Sequence, residues 1–394
     1  MNLLRLAEQL APDDQRTLLL SGEHCLRYHD KAQQCRACSD ICPAGAIEPG
    51  TPPVLDADAC QFCLACLPVC PTGAITAEDE VPALVRCTQV LGARRVELLC
   101  QLNPEVTRGV PGVEAAIRVR GCLAGLGSAA LLLLAAGDVE QIVVRDDACD
   151  GCPWQKASSA VANQLVEAQA TLALWGKERC LTLSGPADES WAPRPVYAAD
   201  SPPVSRRDLF HLRHNETQTE APVAGGNHPF RERLRQIYAL QKLGAPPPEQ
   251  STAPLPLPGF ATLAVGEGCT ACGACARVCP TGALSLAIDD DGFCLTVAPH
   301  ACIGCGMCAH VCAPAVLALE SQPSYNDIFE GPSVWELQQG AVARCQRCRA
   351  PYPAATGSDF CAICDFRRKN PFGSVIPPGL QRRTATQTLR EELS

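Results

Sequence analysis

No stretch of this sequence is long and apolar enough to cross a bilayer. The most apolar uncharged run, Gly121 to Gly137 with AALLLLAAG inside it, falls short of the roughly 20 residues a spanning helix needs. It is also rich in glycine, so it reads as a helix buried against a sheet. The first residues, MNLLRLAEQLAPDDQR, place acidic side chains where an export signal would carry its apolar core, so no such signal is expected there. Also missing are a Gly-x-Gly-x-x-Gly loop after a strand, a Walker phosphate loop, and any Ser/His/Asp or Cys/His nucleophile set, so the chain shows no substrate chemistry of its own. Positive charge is short as well: 33 Lys and Arg stand against 42 Asp and Glu, a net charge of −9. That balance argues against a nucleic-acid partner and for docking onto proteins with basic patches.

Cysteine, by contrast, is abundant. The 27 cysteines are odd in number, and most fall in tight Cys-x2-Cys runs rather than dispersed pairs. In a chain without an export signal such runs read as metal ligands, because thiolates bind soft metals and a reducing cytoplasm keeps them free of disulfides. A length of 394 residues suggests two to four domains at roughly 150 residues each.

The chain repeats itself at long range. Cys60, Cys63, Cys66 and Cys70-Pro71 recur as Cys269, Cys272, Cys275 and Cys279-Pro280, each followed by Thr-Gly-Ala, and a further motif runs through Cys302, Cys305, Cys308 and Cys312. In Cys-x2-Cys-x2-Cys-x3-Cys-Pro, three thiolates from one tight loop hold three irons of a cubane while the fourth reaches the other cluster. These motifs resemble those of bacterial two-cluster ferredoxins. The resemblance implies that Cys269, Cys272, Cys275 and Cys312 hold one 4Fe-4S cluster and Cys302, Cys305, Cys308 and Cys279 another. In Cys312-Ala313-Pro314 the proline comes one residue late, so a shifted turn with the ligand retained is expected there. In the first module, Cys35-x2-Cys38-x3-Cys42-Pro43 has Ala32 where its first cysteine should stand, and Cys25 is the available substitute. A returning loop from His24 to Gln34 would give Cys25, Cys35, Cys38 and Cys70 on one cluster and Cys60, Cys63, Cys66 and Cys42 on the other. The alternative is a three-cysteine site that forms a 3Fe-4S cluster or takes a non-cysteine ligand. His24 and His29 read as solvated or structural.

Between the modules, apolar runs at 96–99, 116–119, 141–144 and 180–183 alternate with helical stretches at 126–136 and 155–174. Such alternation implies a small α/β domain with a mostly parallel sheet. Cys100, Cys122, Cys149 and Cys152 each follow an apolar run, where strand ends converge on one edge. The segment from Arg118 to Trp154, with Gly121-Cys122 and Cys149-Asp150-Gly151-Cys152, resembles the delta-subunit domain found with methyl-viologen-reducing hydrogenases and heterodisulfide reductases. That resemblance implies an additional cysteine-held iron-sulfur cluster and electron passage between larger subunits. The competing reading is of buried, inert cysteines with one redox pair. Cys87, Cys180 and Cys294 lack partners in sequence and read as core residues.

Further on lies a proline-rich linker enclosing the helical stretch HPFRERLRQIYALQKLG. Cys345-x2-Cys348, twelve residues, and Cys361-x2-Cys364 form a zinc-ribbon-like or rubredoxin-like knuckle whose four sulfurs suit Zn or Fe. Ser205-Arg206-Arg207-Asp208-Leu209-Phe210 resembles a twin-arginine export motif but lies mid-chain with no apolar segment after it, so a charged helix start is expected. The expected organisation is an N-terminal helix over 1–21, a first dicluster module over 22–80, the α/β domain over 81–185, the linker over 186–258, the second dicluster module over 259–321, and the knuckle with its tail over 322–394. The fold class is thus α+β multidomain. The leading functional expectation is a cytoplasmic carrier with four 4Fe-4S clusters, serving a larger oxidoreductase of the formate dehydrogenase, hydrogenase or heterodisulfide-reductase type. Alternatives are a redox enzyme using the middle-domain cysteines and an assembly or regulatory factor for a metalloenzyme.

Overall fold

The computed structural model describes residues 18–29, 35–78, 80–203, 230–289, 291–354 and 357–370. The readings placed on residues 1–17, on Ala32, on the His29 side chain, on Ser205–Phe210 and on the tail beyond Asn370 lie outside them. The chain divides into two compact units, Met1–Ala245 and Pro246–Ser394.

At the centre of the first unit is a parallel sheet of five strands: β1 (Arg95–Leu99), β2 (Ala115–Arg118), β3 (Gln141–Val144), β4 (Leu181–Leu183) and β5 (Val196–Ala198). Their order is β5-β2-β1-β3-β4, every neighbouring pair parallel. Val96, Leu98, Ala116, Ile117, Ile142 and Val143 are buried, as strands covered on both faces require. The covering helices are α1 (Val81–Leu91), α2 (Gly127–Ala135) and α3 (Ser158–Ala173), and α4 (Arg231–Leu243) packs on α2. Every residue of α2 is buried, the pattern of a helix apolar on all sides. No side chain of its own caps its start. Instead the Glu232 carboxylate of α4 accepts a hydrogen bond from the Ala129 N–H at 3.2 Å, satisfying a donor that every helix start leaves open.

The sheet reaches past the expected boundary at 185. Strand β5 comes from the segment read as linker, and α4, the helical stretch read inside that linker, packs on α2. Proline density misled here because an edge strand tolerates prolines whose missing N–H faces away from the ladder. Pro193 and Pro195 immediately precede β5. The first module needs little secondary structure of its own: Leu19–Leu20 pairs with Ile75–Thr76 and Ile47–Glu48 with Val54–Leu55, over a small core of Leu18, Ala46, Ile47, Leu67 and Ile75.

In the second unit, Leu263–Val265 pairs with Leu317–Leu319. Strands β6 (Leu284–Ile288), β7 (Phe293–Val297) and β8 (Trp335–Gly340) form an antiparallel sheet in that order. Strand β8 comes from beyond residue 321, so the second module's sheet is completed by the region assigned to the knuckle. Along β7, Phe293, Leu295 and Val297 are buried and the residues between them are not. Cys294 therefore sits half-buried beside Glu336, not in a core as expected. Cys87 and Cys180 are core residues, each donating its thiol weakly to a carbonyl, of Ala198 and Val139 respectively. A hairpin of β9 (Val342–Arg344) and β10 (Pro351–Pro353), followed by α5 (Ala362–Lys369), carries the last four cysteines. No helix among the described residues is long and apolar enough to cross a membrane.

Candidate metal centres

In the second module, Cys269, Cys272 and Cys275 wind around one loop, and Cys312, some forty residues on, joins them at a cavity of about 400 Å³. Cys302, Cys305 and Cys308 surround a second cavity of about 340 Å³ together with Cys279. The tight loops depend on left-handed glycines, Gly273 at φ 68° and Gly306 at φ 72°, each starting a one-turn helix that brings the third cysteine back. Burial first, then the neighbouring Cys305 and Cys302 thiolates, push the Cys308 thiol up to about 12.

The repeated Pro-Thr-Gly-Ala has a local explanation. The Gly73 and Gly282 N–H groups donate to Cys70 O and Cys279 O at 3.2 Å, with φ of 64° and 66°. The hydroxyls of Thr72 and Thr281 lie 3.7 and 3.5 Å from the Cys70 and Cys279 sulfurs. Sequence reasoning noted the repeat but not this contact to sulfur. At Cys312 the expected shifted turn is absent: Ala315 N–H donates to Cys312 O at 2.9 Å, the same register. The proline's displacement is absorbed by Ala315 itself, held at φ 55° where the other turns use glycine.

In the first module, Cys25, Cys35, Cys38 and Cys70 line one cavity of about 390 Å³. Cys25 reaches it from the end of the turn Gly22–His24, while His24 is exposed. Burial, then the charges of Cys70, Cys35 and Cys25, push the Cys38 thiol up to about 11. Cys42, Cys60, Cys63 and Cys66 lie together close by. Burial raises the Cys63 and Cys66 thiols, and both feel Cys42 and Cys60 as well; Cys66 also feels Cys38 from the neighbouring set.

The α/β domain presents a further set. Cys100 directly follows β1, Cys122 follows β2 and Cys149 and Cys152 follow β3, so three adjacent parallel strands deliver them at the same end of the sheet. All four line a cavity of about 340 Å³ with Asn103, Arg145 and Trp154. Burial, then nearby thiolates, push Cys122 up to about 12 and Cys149 up to about 11. The wall behind is a buried ionic network. The Arg145 side chain, fully buried, donates to Asp147, Glu97 and the carbonyls of Arg108 and Glu105, and its guanidinium lies 4.0 Å from the Trp191 ring centre. Glu97 is bound also by Arg194, and Asp147 by Asn103 Nδ2 at 3.1 Å. Sequence reasoning missed Glu97, Arg145 and Asp147; a charged residue inside the apolar run VELL was the signal.

The C-terminal set has another geometry. The sulfurs of Cys345, Cys348, Cys361 and Cys364 all lie within 4.8 Å of one another, and Cys348 and Cys361 are 3.7 Å apart. Zn–S bonds of about 2.3 Å in a tetrahedron put sulfurs about 3.8 Å apart, so this set fits one ion. Among the described residues it is the one cysteine set drawn so tight. Burial opposes ionisation of Cys345, but the N–H groups of Cys348, Cys361 and Arg347 outweigh it and bring the thiol down to about 6. Cys361, at the N-cap of α5, is raised by burial, and burial with the neighbouring thiols pushes Cys364 up to about 12.

A family profile described as a 4Fe-4S dicluster domain matches residues 263–321, and one described as a 4Fe-4S binding domain matches residues 53–76. No curated protein matches the chain. The first match spans both halves of the second module; the second spans the half of the first module whose motif is complete, leaving Cys25 to Cys42 outside. The chain thus contains two 4Fe-4S ferredoxin-type domains and a C-terminal cysteine cluster.

Proposed function

We propose that this protein is a multi-cluster electron carrier that relays low-potential electrons through four 4Fe-4S clusters to or from a larger oxidoreductase. The observation that carries this reading is the drawing together of distant cysteines: Cys312 completes the Cys269 loop, Cys279 the Cys302 loop, and Cys70 the set of Cys25, Cys35 and Cys38. Each cluster would be held by one such set, the fourth by Cys42, Cys60, Cys63 and Cys66, and supplies reversible one-electron chemistry when bound. The chain's own part is to gather the four thiolates around one cavity, shield them with Leu286, Leu295 and Leu317 in one site and Leu20, Leu26 and Ile75 in another, and direct donors at sulfur. Ala74 N–H, 3.2 Å from the Cys70 sulfur, is one such donor, and bonds of this kind set cluster potential.

At the C-terminus, Cys345, Cys348, Cys361 and Cys364 would hold one zinc in a zinc-ribbon-like unit, since their separation suits a single closed tetrahedral ion. The partner we propose is a hydrogenase, a formate dehydrogenase or a heterodisulfide-reductase-like enzyme, on the resemblance of the middle domain to delta subunits. A reducing cytoplasm suits 27 free cysteines. The test is anaerobic reconstitution of the full chain with metal analysis and an EPR redox titration, expecting about sixteen irons from the four ferredoxin sites, one zinc, and low-potential signals. Cys25→Ser removes or converts one cluster and leaves the second module's signals intact. Fewer than about twelve irons after full reconstitution rejects the reading.

A further inference from the structure

The α/β domain reaches the first ferredoxin-type module with a charged side chain. We propose that Lys156 is a tuning residue for the site of Cys42, Cys60, Cys63 and Cys66: its ammonium stabilises an electron added there and so raises the reduction potential of that site. The α/β domain thereby sets how strongly its neighbour holds an electron. The assignment rests on the proposed function, since it needs a 4Fe-4S cluster on those four cysteines.

Three observations carry it. Lys156 Nζ donates to the carbonyl of Cys42 at 3.0 Å, across 114 residues of sequence. The same carbonyl accepts the Gly45 N–H at 3.4 Å, the local turn bond that Gly282 makes to Cys279 at 3.2 Å in the second module. The turn therefore closes through its own glycine, and the lysine is an addition to it. Second, the segment that carries Lys156 is fixed. It is a single turn, Gln155–Ala157, between Cys152 and α3, and the buried Trp154 and Ala157 anchor it on either side of the lysine. The Gln155 N–H donates to the Cys152 carbonyl at 2.9 Å and the Ala157 N–H to the Trp154 carbonyl at 2.8 Å. Third, domain and module meet backbone to backbone. The N–H of Cys122 donates to the carbonyl of Cys63 at 3.0 Å. Two glycines make this approach attainable: a Cβ on Gly125 would lie 2.8 Å from Leu64 Cβ, and one on Gly121 would lie 3.3 Å from the Cys63 carbonyl oxygen. The charge is thus held in register with the ligand loop from both sides.

The sign follows from charge alone. Four thiolates make the site negative, and reduction adds one further negative charge. A lysine ammonium is a compact point charge, and a cation beside the site favours the more negative form, which raises the potential. Lys156 is exposed overall, so added salt screens part of the effect. The second module places a cation on a ligand carbonyl from within its own motif: Arg277 donates to the Cys272 carbonyl at 2.9 Å, five residues away. The first module borrows its cation from another domain.

The test is an EPR redox titration of the full chain, reconstituted anaerobically with ferrous iron and sulfide, beside Lys156→Gln, Lys156→Arg and Lys177→Gln. The last removes an exposed lysine elsewhere in the same domain, and Cys60→Ser identifies the signal of the site by abolishing it. In Lys156→Gln that signal is expected to titrate at more negative potential, with iron content and the other signals as in wild type. Lys156→Arg returns it to the wild-type potential, Lys177→Gln leaves it there, and the gap between wild type and Lys156→Gln narrows as salt is raised. An unmoved potential in Lys156→Gln overturns the assignment, and so does loss of iron from the site, which would make Lys156 a structural tie. An equal shift in Lys177→Gln overturns it too, since net charge would then be the cause. Wild type without iron or titrating signals sinks the proposed function and this assignment with it, a failure seen before any variant is made.

Discussion

In the second module the cysteine loops are backed by a three-stranded antiparallel sheet, β6-β7-β8, whose last strand comes from the segment after residue 321. The first module has two ladders of two residue pairs each, and its Cys63 loop is braced from outside by Gly121–Gly125 of the α/β domain. The difference tracks the ligand spacing. Where that sheet backs the module, both cysteine motifs stay regular in spacing and one family profile covers both, over 263–321. Where a neighbouring domain supports it, the first motif has loosened and a distant cysteine, Cys25, stands in the gap.

The strongest way to break this comparison is to weaken the brace. Arg145→Met leaves Asp147 buried without its ion partner, at a cost of about 3 kcal/mol, the low end for a broken buried pair because Glu97 keeps Arg194. In denaturant melts of the metal-free protein, the transition of the first unit moves to lower denaturant and that of the second stays. If both move together, the two modules do not differ in support as described.

A smaller effect sharpens the other side. Ala315→Gly relieves a left-handed alanine at φ 55° and stabilises the second unit by about 1 kcal/mol, read from the same melts. No gain would mean that this turn is not strained and that its register is set by Cys312 alone.

The smallest effect is in pH, and its sign differs between the raised thiols, among them Cys364 of the tight set, and the lowered Cys345. Thiols at about 12, such as Cys122 and Cys308, lie above their ordinary value of 9.0. Below pH 9 folded and unfolded chains both hold these protons; as pH rises from 9 towards 12 the unfolded chain gives them up first, and stability falls. Cys345, lowered to about 6, works the other way: its contribution is full above pH 9 and fades as pH falls to 6. Melts of the metal-free protein between pH 6 and 9 therefore report Cys345, and melts above pH 9 the raised thiols of the wide sets together with Cys364 of the tight one.

Much of this arrangement was legible in the sequence because iron-sulfur ligation is a matter of spacing. The three regular motifs named the cysteines, and the vacancy at Ala32 pointed to Cys25 before any geometry was known. The strands at 141–144 and the buried helix after Gly121 were equally plain from apolar runs. What could not be read were features that spacing does not encode. Strand β5 and helix α4 join the first unit through tertiary contacts that outweigh a proline-rich, charged composition. Arg231, Arg233 and Arg235 are buried in α4, against the rule that such residues stay outside. The turn at Ala315 was misjudged because a left-handed alanine is a cost that a local reading rejects and the surrounding ligand loop imposes.

One contact has a consequence for how the protein is made. The N–H of Phe230 donates to the carbonyl of Thr72 at 3.1 Å, and the α4 helix that begins there caps α2 through Glu232. A chain growing from the ribosome at about 5–20 residues per second finishes the cysteines of its first module long before it supplies residues 230–243. The module that is synthesised first thus gains its contact with residues 230–243 only after an interval of many seconds.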